Sequence, residues 1–286
     1  MANLNYFLSQ ARSHGQALGH FNFSTLDVLQ AIVEGAKEAG ATAVMVGTSE
    51  GEAEFVGMKE AVAMTKAVSG HYNLPVFLNA DHFRSFEKCK EAIDAGYDSV
   101  IIDPKEVKYP DNIPIAKKVV DYARSKNSDI SVEGELGYLK GSSEVQKSIE
   151  INPADFTKPE EVKEFVNSTG VNRLAVVFGN VHGIVTEQEE KLDVEHFRKI
   201  VIAESNVFYV LHGASGLSDG DILMAVRAGI SNVHFNTELR VAYRGAIEKV
   251  FQEKPNETTP YKYLSPGAQE VRRLVFHKTQ LFLGKL

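Results

Sequence analysis

His82, His182 and His212 stand just after three separate apolar runs. Their type and placement suit one chemistry above others, the holding of a metal ion. Three neutral imidazoles with one coordination position left open are the donor set of a catalytic zinc site, where the ion acts as a Lewis acid. The competing reading is three histidines hydrogen-bonded separately at strand ends. Glu135 is placed to be a fourth ligand, a group that steadies a ligand from behind, or a salt-bridged barrel residue. Asp81 directly precedes His82, which puts a carboxylate where it can exchange a proton with a substrate hydroxyl. Its other reading is an N-cap for FRSFEKCKEA, a task Ser85 fills better. Of the nine histidines, His14, His71, His196 and His277 fall in helical or surface segments and read as solvated side chains.

A second group of residues suits an anion. At Gly183, Gly213 and Gly216 backbone N–H groups can approach a phosphate closely, Ser215 adds a hydroxyl, and the following helices offer their positive N-termini. Tight turns also use Gly and Ser, so HGASG alone says little. Beside His212 and ahead of Asn236-Thr237 it points to phosphate binding. Breaking a bond β to a carbonyl leaves an enolate, which an enzyme stabilises with a Schiff-base lysine or a Lewis-acid metal. None of the eight apolar runs contains a lysine; Lys105, past the end of the fourth, is the nearest. The residues favour the metal.

These groups need elements that bring them to one place. Runs 16–23, 41–47, 75–81, 99–103, 130–136, 173–179, 207–212 and 232–237 read as strands. Their near-continuous apolar character, as in TAVMVG, SVIID and RLAVVFG, suits parallel strands covered on both faces. Between them lie amphipathic helices such as LDVLQAIVEGAKEAG, FEKCKEAIDAG and SDGDILMAVRAG, each ending in Gly. Eight strand-then-helix units in about 250 residues make an α/β fold of the (β/α)8 type, here one barrel domain over residues 1–286. The rival, a doubly wound open sheet, lacks its G-x-G-x-x-G fingerprint after the first strand. Functional groups in a barrel gather at the C-terminal strand ends, and here those ends read HFN, NADH, EGELG, GNVHG, LHGASG and HFNTELR. Residues 137–159, rich in Gly, Ser and charge, read as a mobile lid, and the tail from Tyr261 as one extra C-terminal helix.

The bulk numbers narrow the partners. With 43% hydrophobic and 24% charged residues, the 286-residue chain can bury a sizeable core. A formal charge of -7 without a long run of one sign repels nucleic acid and anionic membrane, so neither is an expected partner. The single cysteine, Cys89, forbids an internal disulfide. The N-terminus has no signal-peptide pattern, and no run of about 18 apolar residues occurs. A cytoplasmic protein acting on a small molecule is expected.

Taken in order, ALGHFNFSTLDVLQAI, VGTSEGEAEFVG, LNADHFRSFEKCKEAIDAGYDSVIID, SVEGELG, VHG, LHGASG and NTELR make the chain resemble class II aldolases of fructose- and tagatose-bisphosphate type over most of its length. The resemblance implies a TIM barrel that reversibly cleaves a phosphorylated ketose, fructose 1,6-bisphosphate foremost, to dihydroxyacetone phosphate and glyceraldehyde 3-phosphate. It implies zinc held by His82, His182 and His212, with Glu135 as alternate ligand in a buried metal position. Asp81 would shuttle the proton of the ketose C4 hydroxyl. Gly183, Gly213, Ser215 and Thr237 would hold the phosphate, with sodium or potassium beside it, and Asn22 and Ser49 would face the substrate. Family members are dimers or tetramers, so a homodimer or homotetramer is expected, with the C-terminal helix contributing.

Three places depart from the family pattern. Its loop after ELG reads G-G-x-E-D, where a Glu removes a proton from the three-carbon half. Here Lys140-Gly141-Ser142-Ser143-Glu144 puts Ser143 at that position and makes Glu144 the substitute base, from a shifted loop. The eighth strand carries His234 where the family has Asn. Near the tail, Thr259-Pro260-Tyr261-Lys262-Tyr263-Leu264 lacks the Arg with which the family grips the distal phosphate. Two alternatives stay open: another ketose phosphate (tagatose 1,6-bisphosphate or a ketose 1-phosphate), or a non-catalytic barrel that binds sugar phosphate. Retention of the three histidines and Asp81 speaks against the second.

Overall fold

The computed structural model describes residues 2–104 and 107–286. Its strands are β1 (Leu18–Asn22), β2 (Val44–Ser49), β3 (Val76–Phe83), β4 (Ser99–Ile102) and β5 (Ser131–Leu136). They continue as β6 (Gly141–Gln146), β7 (Arg173–Val176), β8 (His182–Val185), β9 (Phe208–Leu211) and β10 (Ile230–His234). Eight of them, all parallel, close into a barrel in the order β1-β10-β9-β7-β5-β4-β3-β2, and β6 pairs with β8 outside it. The helices are α1 (Leu4–Ser13), α2 (Leu26–Ala39), α3 (Glu50–Val56), α4 (Met58–Tyr72), α5 (Phe86–Ala95) and α6 (Ile113–Lys126). After them come α7 (Pro159–Thr169), α8 (Val194–Ala203), α9 (Asp219–Ala228), α10 (Thr237–Glu253) and α11 (Pro260–Phe282). This is the (β/α)8 barrel expected from the alternation of apolar runs and amphipathic helices, with the extra C-terminal helix present as α11. No helix among the described residues is long and apolar enough to cross a membrane. Lys105 lies outside the described residues.

Local chemistry sets where the elements begin and end. The helix α5 starts at Ser85, whose hydroxyl accepts the Lys88 N–H at 3.2 Å, so the cap falls there and Asp81 is left for another task. The strand β7 stops at Val176, three residues before the apolar run does. Past it the Asn180 side chain accepts the Phe178 N–H at 2.9 Å and turns the chain. The strand β10 ends at His234 because Asn236 and Thr237 open α10 instead of extending the sheet. Residues 137–159 are less irregular than their composition suggests, since 141–146 form β6 alongside β8. The helix α1, unmarked in the sequence reading, packs Leu4, Leu8 and Ala11 on Leu18, Ala43 and Met45 beneath the barrel. The helix α11 lies along α2 and α10 and buries Val271, Val275, Leu281 and Phe282.

The middle of the barrel is polar. Arg173 projects inward from β7 with no exposure, and its Nη1 lies 2.6 Å from Glu133 Oε2. The same guanidinium donates to Asn79 at 3.0 Å, Asn232 at 3.1 Å and the Ser131 hydroxyl at 3.2 Å. A buried ion pair barely stabilises a fold on balance, but deleting one partner strands a charge at a cost of about 3–5 kcal/mol. Arg173 therefore locks Glu133 in place directly under the barrel mouth.

Candidate active site

The strand β3 solves a geometric problem at its end. Successive strand residues face opposite sides, so Asp81 and His82 should diverge. Instead the pairing of β3 with β4 shifts register between Ala80 and Phe83, and His82 takes a left-handed backbone conformation with φ 52°. This bulge turns both side chains toward the mouth.

There His82, His182 and His212 place one ring nitrogen each within 4.8 Å of the other two. Nε2 of His82 is 2.8 Å from Nδ1 of His212, so these nitrogens face one another. Their opposite nitrogens are anchored. Nδ1 of His82 lies 2.9 Å from Asp103 Oδ2, and Nε2 of His212 lies 2.7 Å from Glu133 Oε1. Carboxylates that orient imidazoles from behind are the support pattern of histidine metal ligands. Glu135 Oε2 sits 3.9 Å from His82 Nδ1, buried and without a hydrogen bond. Burial and nearby Asp103 raise the Glu135 carboxyl above its ordinary range. Burial alone would lower His82, but Asp81, the Asp103 hydrogen bond and Glu135 push it up to about 10. The surroundings thus call for positive charge, and a divalent cation answers that call while releasing the ring proton. The facing His82 and His212 nitrogens, with a His182 nitrogen within 4.8 Å of both, are close enough for one small ion to engage all three rings. The donor set fits a divalent ion.

Asp81 is fixed on two sides. Asn22 Nδ2 donates to its Oδ2 at 2.9 Å, and His234 Nδ1 lies 3.4 Å from its Oδ1. Burial pushes the Asp81 carboxyl up, yet His82 and His234 hold it well below the usual carboxylate range, so it stays ionised. The His234 ring stacks between His20 at 3.7 Å and His212 at 4.2 Å between centroids. Burial, then the neighbouring histidine, lowers both His20 and His234, which keeps the pair neutral. Asn22 also donates to Glu52 at 2.9 Å, and Glu52 closes a capping box with Ser49 at the start of α3.

The same cavity is also lined by the Gly/Ser turns and the start of α10. Gly213 has φ 67°, and a Cβ there would fall 1.9 Å from the Val181 carbonyl oxygen. A Cβ on Gly183 would meet the Glu144 carbonyl at 2.2 Å, so β6 can lie against β8 only over glycine. The Ser215 hydroxyl accepts the Glu238 N–H at 3.3 Å, which ties this loop to the first turn of α10. Asn236 and Thr237 put the N-terminus of α10, 17 residues long, on the cavity wall, where the positive end of the helix favours an anion.

One cavity therefore collects most of the residues singled out from the sequence. Its lining includes Asn22, Ser49, Asp81, His82, His182, Gly183, His212, Gly213, Ser215, Asn236 and Thr237. Glu135 lies on the far side of His82, in a neighbouring cavity that shares His182. Glu144 is not brought in: its side chain is exposed, off the lining, 3.4 Å from the Ser142 hydroxyl. Ser143 occupies the lining instead, with Oγ 3.2 Å from Thr237 Oγ1. The sequence reading missed Asp103, Glu133, Arg173, Glu52, Arg84 and Arg240. Asp103 ends the fourth strand run, so the strand-end rule already applied to six other strands finds it. No local signal marks the Glu133–Arg173 pair, which joins residues 40 positions apart (133 to 173).

The barrel mouth thus sets a histidine cluster and an ionised carboxylate on one cavity with Gly/Ser turns and the N-terminus of α10, the layout of an enzyme site. The chain belongs to the class II fructose-bisphosphate aldolase family: the family described as "Fructose-bisphosphate aldolase class-II" matches residues 2–285. Membership makes it an aldolase, a carbon–carbon lyase. The fructose-bisphosphate aldolases of Staphylococcus epidermidis (strain ATCC 35984) and Staphylococcus aureus (strain Mu50) are 34% and 35% identical, each over 99% of this chain and 97% of the relative. Among solved structures, the YdjI aldolase from Escherichia coli K12 superposes with a TM-score of 0.84 at 30% identity, covering 98% of this chain and 97% of that one. A putative fructose-1,6-biphosphate aldolase from Coccidioides immitis, 24% identical with a TM-score of 0.83 over 98% of this chain and 96% of that one, shares the fold.

Proposed function

We propose that the chain works as one barrel domain and is a zinc-dependent aldolase that reversibly cleaves fructose 1,6-bisphosphate to dihydroxyacetone phosphate and glyceraldehyde 3-phosphate. The observation that carries this reading is the meeting of His82, His182 and His212 beside Asp81, on a cavity also lined by Gly183, Gly213, Ser215 and the start of α10. The staphylococcal relatives, named for fructose bisphosphate, support the substrate. Zinc would be held by His82, His182 and His212, with Glu135 as alternate ligand, and when bound it supplies the Lewis acidity that polarises the ketose carbonyl.

The remaining work falls to the chain's own groups. Gly183, Gly213, Ser215, Asn236 and Thr237 bind the phosphate of the three-carbon half and so fix where the carbonyl lies. Asn22 and Ser49 face the middle of the sugar. Asp81, ionised and held by Asn22 and His234, takes the proton from the C4 hydroxyl as the C3–C4 bond breaks. That electron pair stays with the three-carbon half, and the aldehyde leaves. Protonation of C3 requires an acid from the β6 loop. Glu144, on β6 and exposed outside the cavity here, is the carboxyl this reading assigns to that step, and it would have to swing inward to act. Assembly as a homodimer or homotetramer belongs to the same reading, supported by exposed Phe55, Val241 and Tyr261 on α3, α10 and α11. A cytoplasmic location suits the unpaired, buried thiol of Cys89.

A coupled cleavage assay on fructose 1,6-bisphosphate, tagatose 1,6-bisphosphate and fructose 1-phosphate, with zinc present, tests the proposal. Fructose 1,6-bisphosphate should lead in kcat/KM by roughly 10-fold or more, since a site built around one hydroxyl arrangement rejects its epimer. Preference for the tagatose ester reassigns the substrate, and no cleavage of any of the three overturns the aldolase reading.

A further inference from the structure

We infer that Arg84 reads the far end of the aldehyde half and selects aldehydes that terminate in an oxyanion, either a phosphate ester or a carboxylate. The inference rests on the aldolase reading and adds to it the group that grips the second end of the substrate. Among the described residues the cavity lining carries two arginines, Arg84 and Arg240, and no lysine. Arg240 is engaged: it leaves the first turn of α10 beside Thr237 and donates to the Ser143 carbonyl. The Arg84 guanidinium makes no hydrogen bond or ion pair with any described residue. Glu50, also on the lining, is taken by the Arg84 backbone N–H at 2.8 Å.

The topology gives this free guanidinium a definite address. In the closed order β1-β10-β9-β7-β5-β4-β3-β2, strands β3 and β9 are four places apart in either direction, and so face each other across the barrel. Gly213 and Ser215 follow β9, and Arg84 follows β3, two residues beyond His82. A substrate anchored by one phosphate in the Gly213–Ser215 loop and crossing the histidine cluster therefore ends on the Arg84 side. There the planar fork of a guanidinium matches phosphate or carboxylate oxygens two at a time. A neutral aldehyde filling the same space displaces water from the charge and returns nothing for it, so discrimination against neutral ends follows.

The test runs the reaction in the direction of synthesis, joining dihydroxyacetone phosphate to three three-carbon aldehydes: glyceraldehyde 3-phosphate, tartronate semialdehyde and uncharged glyceraldehyde. The readout is the ratio of kcat/KM for each charged aldehyde to that for glyceraldehyde, which does not depend on the fraction of active enzyme. Arg84→Ala should lower the ratio for the preferred anion by roughly 10- to 100-fold, the weight of a charge-assisted bidentate pair. Which of the two anionic aldehydes shows the drop identifies phosphate or carboxylate as the group read. A ratio unchanged in Arg84→Ala, or equal loss on all three aldehydes, overturns the assignment while leaving the aldolase reading intact. A native protein that condenses none of the three overturns both.

Discussion

Substituting His82 with Asn is expected to lower kcat for ketose cleavage by roughly 1,000-fold or more, because Lewis-acid assistance is worth several kcal/mol of barrier. Asn is the informative choice. His82 sits at φ 52°, a conformation Asn tolerates and most other side chains resist, so the bulge in β3 survives while the imidazole is lost. Bound zinc should fall together with activity, since two histidines remain of the three that lie within 4.8 Å of one another. Metal analysis and steady-state kinetics on the same preparation check both effects. Near-native turnover by His82→Asn, with zinc retained, would remove His82 from the metal site.

Asp81→Asn separates proton transfer from metal binding. The carboxylate accepts from Asn22 at 2.9 Å and faces His234 at 3.4 Å, and an amide of the same shape keeps the Asn22 contact while losing the basic oxygen. Zinc content should stay at the native level and kcat should fall by roughly 100- to 10,000-fold, the range for a positioned general base. A kcat within tenfold of native, at full metal content, would mean that another group takes the C4 hydroxyl proton.

The fold was legible because a parallel barrel buries both faces of its strands. Runs such as TAVMVG and RLAVVFG therefore lack the alternation of a half-exposed sheet, and polar residues at their ends stand out. For the same reason many of the cavity residues are legible in the sequence: Asn22, Asp81, His82, His182, His212, Gly213 and Ser215 all line it. What escaped is non-local. Arg173 sits inside an apolar strand, and only the closed sheet shows that it holds Glu133, which in turn holds His212. The bulge that lets Asp81 and His82 share one face is a register shift between β3 and β4, with no mark in the residues themselves. Composition made 137–159 look irregular, and the pairing of β6 with β8 could not be foreseen from a stretch whose partner lies 36 or more positions away, as Gln146 and His182 do. The helix α1 is short and amphipathic, and its task appears only once the barrel floor it covers is in place.

Metal removal tests the central claim most directly. The protein as purified should carry about one zinc per chain. Exhaustive chelation should take ketose cleavage to background, and returning one equivalent of zinc should restore it. Cleavage that persists at the native rate after every bound divalent ion has been removed would contradict the account.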